Sequence, residues 1–206
     1  MKVYLKYIVV VLLVIVINSF FNKVENKTVL YNLPRKGQVA VVLTKQESLK
    51  EPKIPFLGKS FIGFKEALAH KESRGDYNCV NTLGYLGKYQ FGRSTLKRLR
   101  IYNTRGFLKD AKLQEEAFIA LCSVNKWILR KDIKRKVGKK IHGVLITESG
   151  ILAASHLAGA GNVKKYLRSN GNENFKDAYG SDIAYYMKKF AGYDTSFIPA
   201  NKNARL

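Results

Sequence analysis

From residue 60 onward the hydrophobic positions recur mainly at helical spacing. "SFIGFKEALAHKESRG" puts Phe61, Phe64, Ala67 and Leu68 on one face, with Ser60 as N-cap and Gly75 as stop, which predicts a helix. Glu72 falls in its last turn, where the helix dipole opposes a negative charge. "RSTLKRLRIYN" restarts as a helix. The clearest helix is "DAKLQEEAFIALCSVNKWILRKDI", in which Leu113, Ala117, Ala120, Leu121, Val124, Trp127 and Ile128 form a repeating apolar face and are read as core. Helices are also expected over "TESGILAASHLAG" from Thr147 to Gly159, over "NVKKYLRSNG" up to Gly171, and over "SDIAYYMKKFAGY" from Ser181 to Gly192.

One stretch breaks the helical pattern. In "DYNCVNTLGYLGKYQFG" Tyr and Val alternate with polar residues over short runs, and Asn78, Asn81, Gly84, Gly87 and Gly92 interrupt them. This reads as a small hairpin or irregular loop. The expected fold is therefore mainly α, with one small irregular β insertion after the first helix. No internal repeat or low-complexity segment is visible.

The N-terminal part has a different texture. Lys2 and Lys6 precede an apolar run from Tyr7 to Ile17, followed by Phe20 and Phe21. Residues 1–22 thus read as an export signal, either a cleaved signal peptide or a retained membrane anchor. The run is shorter than a usual span of roughly 20 residues, yet no small-x-small cleavage site follows it. Residues 23–59 hold three of the four prolines and many charges, and read as a linker, with "QVAVVLT" as a short strand candidate inside it. Residues 60–206 form the expected folded domain.

Charge narrows the partners. The 206-residue chain has a formal net charge of +22, which favours an anionic partner: nucleic acid, anionic lipid or an acidic wall polymer. At 46% hydrophobic residues it also has enough apolar material for a core, which argues against wholesale disorder. "RKDIKRKVGKK" packs seven basic residues against one acid. No recognition helix, RNA-binding aromatic motif or zinc finger accompanies it, so it reads as a solvated basic face and no specific nucleic acid is expected. Cys79 and Cys122 read as small buried hydrophobes, although an oxidising compartment would permit a disulfide. The three histidines and two cysteines lack metal-ligand spacing, so no metal site and no cofactor are expected.

The candidate chemistry lies in three motifs taken in order. Glu72-Ser73 ends the first helix, Gly87-Lys88-Tyr89-Gln90 follows in the interrupted loop, and "SHLAGAGNV" spans Ser155 to Val163. Together they resemble the catalytic domain of the soluble-type lytic transglycosylases, from about Phe61 to Tyr193. That family reads roughly Glu-Ser, then Gly-Leu-Met-Gln, then Ala-Tyr-Asn-Ala-Gly-x-Gly-x-Val. Glu72, Ser73, Gly87, Gln90, Ala158, Gly159, Gly161 and Val163 match. Lys88-Tyr89 stands where Leu-Met is usual, and His156-Leu157 where Tyr-Asn is usual.

The resemblance implies a lysozyme-like α+β domain acting on peptidoglycan glycan strands, in the periplasm or cell envelope. It implies Glu72 as a lone acid/base. Ser73 and Gln90 would orient Glu72 or bind the sugar amide. Gly87 would admit backbone close to the glycan, and Tyr85 and Tyr89 would stack on sugar faces. His156 would replace the hydrogen bond of the family's tyrosine near the glutamate. Gly159 and Gly161 would bring two helices together beside the cleft. A muramidase needs a second carboxylate; Asp76 is the nearest in sequence, although it also suits a turn, and Glu148 and Asp182 are more distant. A non-catalytic wall-binding module of the same fold is a further alternative. A membrane-tethered binder of nucleic acid or anionic lipid leaves the ordered motifs unexplained.

Overall fold

The computed structural model describes residues 57–206. The export segment, the strand candidate and nearly all of the linker lie outside them. Helix α1, Phe61–Ser73, starts where Ser60 accepts a 3.1 Å hydrogen bond from the Gly63 amide. It buries Phe64, Leu68 and Ala69. Its end differs from the expectation by one residue: Arg74, at φ 60°, adopts the left-handed conformation first, and Gly75 follows at φ 86°. The amides of both residues return to the last turn, capping carbonyls that would otherwise lack partners.

The interrupted stretch folds back without regular strands. Isolated bridges pair Val80 with Leu86 and Leu86 with Phe91, and bury Leu86 and Phe91 against the core. Two short helices follow, α2 at Arg93–Arg98 and α3 at Thr104–Lys109. Helix α4, Ala111–Lys136, begins at Asp110, whose carboxylate accepts from the Leu113 amide at 2.9 Å. Its apolar face buries Ala117, Ala120, Leu121 and Val124 as the periodicity predicts, adds Phe118 and Leu129, and leaves Leu113, Trp127 and Ile128 half-buried.

A regular antiparallel hairpin lies where it was not expected. Strands β1, Lys140–Ile141, and β2, Val144–Leu145, pair with Lys140 opposite Leu145. His142 at φ 46° and Gly143 at φ 78° supply the positive φ at both central positions that a tight two-residue turn requires. Just before the hairpin, the basic run also departs from a plain solvated face. Asp132 is 2% exposed, and its Oδ1 takes 3.2 Å contacts from Arg135 and from Arg168, tying the end of α4 to the next long helix.

Helix α5, Glu148–Arg168, is two helical segments that meet at a kink at Gly159 (φ 77°, ψ 150°), where the sequence reads as stop and restart. Helix α6 is Ile183–Lys189, capped by Asp182 instead of Ser181, because the Asp182 carboxylate accepts from the Tyr185 amide at 2.7 Å. Helices α4, α5 and α6 surround the core, and α1 seals it through Phe64, which meets Phe118, Phe190 and Tyr193. Burying each such ring stabilises by roughly 1.5–3 kcal/mol. Cys79 and Cys122 are free thiols; burial pushes the Cys122 thiol up to about 12. Among the described residues no helix is long and apolar enough to cross a membrane.

Candidate active site

Glu72 emerges from the last turn of α1, half-buried. Its Oε1 accepts a 2.8 Å hydrogen bond from the hydroxyl of Tyr186 on α6. Tyr186 is 2% exposed; burial, followed by the negative charge of Glu72, holds its phenol well above the usual range, so it remains a donor. The sequence alone did not single out Tyr186. It fills the place expected of His156 in bonding the glutamate.

His156 has another task. Its Nε2 lies 2.6 Å from the Tyr89 carbonyl, which can only accept, so Nε2 carries the proton. The other ring nitrogen, Nδ1, is buried without a hydrogen-bond partner among the described residues. The imidazole thus ties α5 to the loop behind Glu72 and still lines the cleft.

That loop is fastened at several points. Ser73 donates to the Lys88 carbonyl at 2.7 Å, so its hydroxyl is used to hold the loop. Gln90, at φ 51° and 8% exposed, donates to the Gly87 carbonyl at 2.9 Å while lining the cleft. Gly87 is buried at φ 76°, and a Cβ there would lie 2.2 Å from Oε1 of Gln114. A fully buried glutamine, not an approaching glycan, accounts for this glycine. Gln114 accepts from the Lys88 amide at 2.8 Å and donates to the Tyr77 and Phe107 carbonyls, each at 3.0 Å.

Tyr89 corrects the stacking expectation. Its ring is fully buried, stacked on Phe118 with centroids 4.2 Å apart, and has no free face for a sugar. Its hydroxyl donates to Glu115 at 2.9 Å. Glu115 belongs to a cluster in which the 4%-exposed Lys88 reaches Glu66 at 2.7 Å, Glu115 at 2.8 Å and the Tyr77 hydroxyl at 3.2 Å. Burial pushes the Glu115 carboxyl up, but hydrogen bonds from Lys65, Lys88, Tyr77 and Tyr89 outweigh it and hold it at about 2. Burial works against the Lys88 charge, and its bonds to Glu115, Glu66 and Tyr77 more than restore it.

Gly159 and Gly161 are exposed, and a Cβ on either would meet nothing within 4 Å. Close helix approach is therefore not their role; the positive φ of Gly159 makes the bend in α5. Asp76 forms the turn that its position suggests, accepting from the Asn78 amide at 2.8 Å. Glu148 pairs with Lys126 at 2.7 Å.

Glu72 lies where two cavities meet. The narrower, about 180 Å³, is lined by Glu72, Tyr85, Gln90, His156, Asp177 and Tyr179, among others. The wider, about 530 Å³, runs over the outer side of α1 past His70, Lys71 and Arg74 to Lys189. Tyr85 and Tyr179 are 42% and 65% exposed, and Tyr179 touches the Thr82 hydroxyl at 3.1 Å, linking two loops beside the narrower cavity. Tyr179 and Asp177 belong to a loop that carried no readable sequence signal. Asp177 Oδ1 accepts from the amides of Tyr179 and Ser181 at 2.9 and 2.7 Å. Among the described residues no group of His, Cys, Asp and Glu is placed to hold a metal ion.

Comparison with protein-family models, with curated proteins and with solved structures finds no match to this chain.

Proposed function

We propose that this chain is an exported peptidoglycan-cleaving enzyme with a lysozyme-like domain, a lytic transglycosylase that cuts the β-1,4 bond between N-acetylmuramic acid and N-acetylglucosamine. The observation that carries the reading is Glu72: a half-buried carboxylate, held by the Tyr186 hydroxyl, in a cleft bordered by exposed tyrosines. The three motifs that resemble the family supply the rest. Protonated Glu72 gives its proton to the glycosidic oxygen as the bond to the anomeric carbon breaks. The N-acetyl group of the muramyl residue assists at that carbon. Glu72, now a carboxylate, removes the proton of the 6-hydroxyl, whose oxygen closes a 1,6-anhydro ring. No water is consumed. Tyr186 steadies the carboxylate in both states, and Tyr85 and Tyr179 offer ring faces to the sugars.

Asp177 favours a second reading. It is a carboxylate on the same cleft as Glu72, so it is a candidate for the second group that a muramidase uses. Product mass separates the two. The purified protein is incubated with peptidoglycan and the soluble fragments are weighed. Anhydro-muropeptides, absent with Glu72→Gln, are expected; products heavier by one water, lost with Asp177→Asn, establish hydrolysis instead. Binding to the wall with no fragment released sinks both and leaves a wall-binding module.

A further inference from the structure

The wider cavity beside Glu72 has no role in the reaction above, and its chemistry is one-sided. Glu72 is the one acid among its lining residues, against Lys71, Arg74 and Lys189, with His70 beside them. Among the described residues none of Lys71, Arg74 or Lys189 takes part in an ion pair. The two lysines flank one ring: their ammonium groups lie 5.9 and 5.6 Å from the Tyr185 centroid, and Lys189 also reaches its hydroxyl at 3.3 Å. Two unpaired charges are thus gathered at one wall of the groove.

Arg74 adds an argument from the backbone. It occupies the left-handed position that ends α1, a conformation that favours glycine, and a glycine follows it immediately. Helix termination alone would be served better by glycine at residue 74. Arginine at that position brings a guanidinium to the groove, where it can take a carboxylate in a two-pronged hydrogen bond.

We propose that this groove binds the carboxylates of an acidic peptide branch carried by the glycan, so that the protein prefers strands bearing peptide stems to bare strands. The inference rests on the glycan reading of the cleft. Glu72 lines both cavities, so a strand with its cleaved bond at Glu72 has a side branch within reach of the basic groove. A small concave groove that shares its glutamate with the narrower cavity suits a short branch better than a nucleic acid backbone, which needs an extended track.

The test uses the full chain carrying Glu72→Gln, so that binding is read without turnover. Glycan strands with intact peptide stems, and the same strands stripped of peptide by an amidase, are titrated at low salt. Stem-bearing strands are expected to bind about tenfold more tightly, with the gap narrowing as salt rises. Lys71→Gln with Lys189→Gln removes most of the gap, whereas Lys134→Gln with Lys139→Gln, an equal loss of charge outside the groove, preserves it. Arg74→Gly is the control for folding: it retains or raises the melting temperature and still weakens binding of the stem-bearing strand. Equal affinity for the two strands overturns the proposal. So does a preference that survives the Lys71 and Lys189 substitutions, or a single-stranded DNA oligonucleotide that displaces the stem-bearing strand at matched charge. Wild-type protein that releases no fragments yet keeps the stem preference refutes the enzymatic reading alone.

Discussion

Glu115 and Glu72 are both half-buried carboxylates near the same loop, and they are surrounded very differently. Glu115 receives Lys65, Lys88, Tyr77 and Tyr89, so its charge is fully answered. Among the described residues Glu72 receives one hydroxyl, from Tyr186, and it lines two cavities. A carboxylate with four partners is fixed as an anion and can only hold structure. A carboxylate with one partner keeps lone pairs for an incoming group. The number of partners thus separates the acid that builds the fold from the acid suited to chemistry, although both sit within one small region.

That contrast can be broken at several points. Glu72→Gln removes the proton carrier and should lower turnover by about 10²–10⁴-fold, read as fragments released per unit time, while leaving the melting temperature nearly unchanged. Glu115→Ala should do the reverse. It leaves Lys88 buried without its central partner and should cost about 2–4 kcal/mol in chemical denaturation, somewhat less than a fully buried pair because Glu115 retains partial solvent access. Tyr186→Phe deletes the hydroxyl that bonds Glu72 and should slow turnover by roughly tenfold to a hundredfold. The smallest effect concerns acid. The Glu115 carboxyl is lowered on folding to about 2, so its stabilisation is complete above the ordinary carboxylate range and is lost as pH falls from there toward 2. Glu115→Gln should flatten the loss of stability over that window; an unchanged slope would show that other carboxylates carry it.

The helices were legible where the sequence repeats long enough to define a face. Helix α1 follows from its cap at Ser60 and its apolar period, and α4 from its apolar period alone. The hairpin at Lys140–Leu145 was not legible because strands of two residues have no alternation to read, and its His-Gly turn comes directly after a basic run that masks it. The site divides in the same way. Glu72, Gln90 and His156 stand out because their motifs occur in order. Tyr186 does not, because on an amphipathic helix a tyrosine reads as core and its partner lies 114 residues away. Tyr89 shows the opposite failure. Alternation in an irregular loop cannot tell an inward ring from an outward one, and the Phe118 that receives it arrives only with α4.

Gln114 holds three separate stretches of backbone, at Tyr77, Lys88 and Phe107, with one side chain. Its consequence is one of timing. The residues beside Glu72 are made early in the chain, but the amide that fastens them comes 26 positions after Lys88. Closing that span carries an entropic cost before any bond repays it. The loop beside the glutamate therefore cannot be fastened by this side chain until α4 is in place, and a chain interrupted before residue 114 carries the Glu72 and Gln90 motifs without that tie.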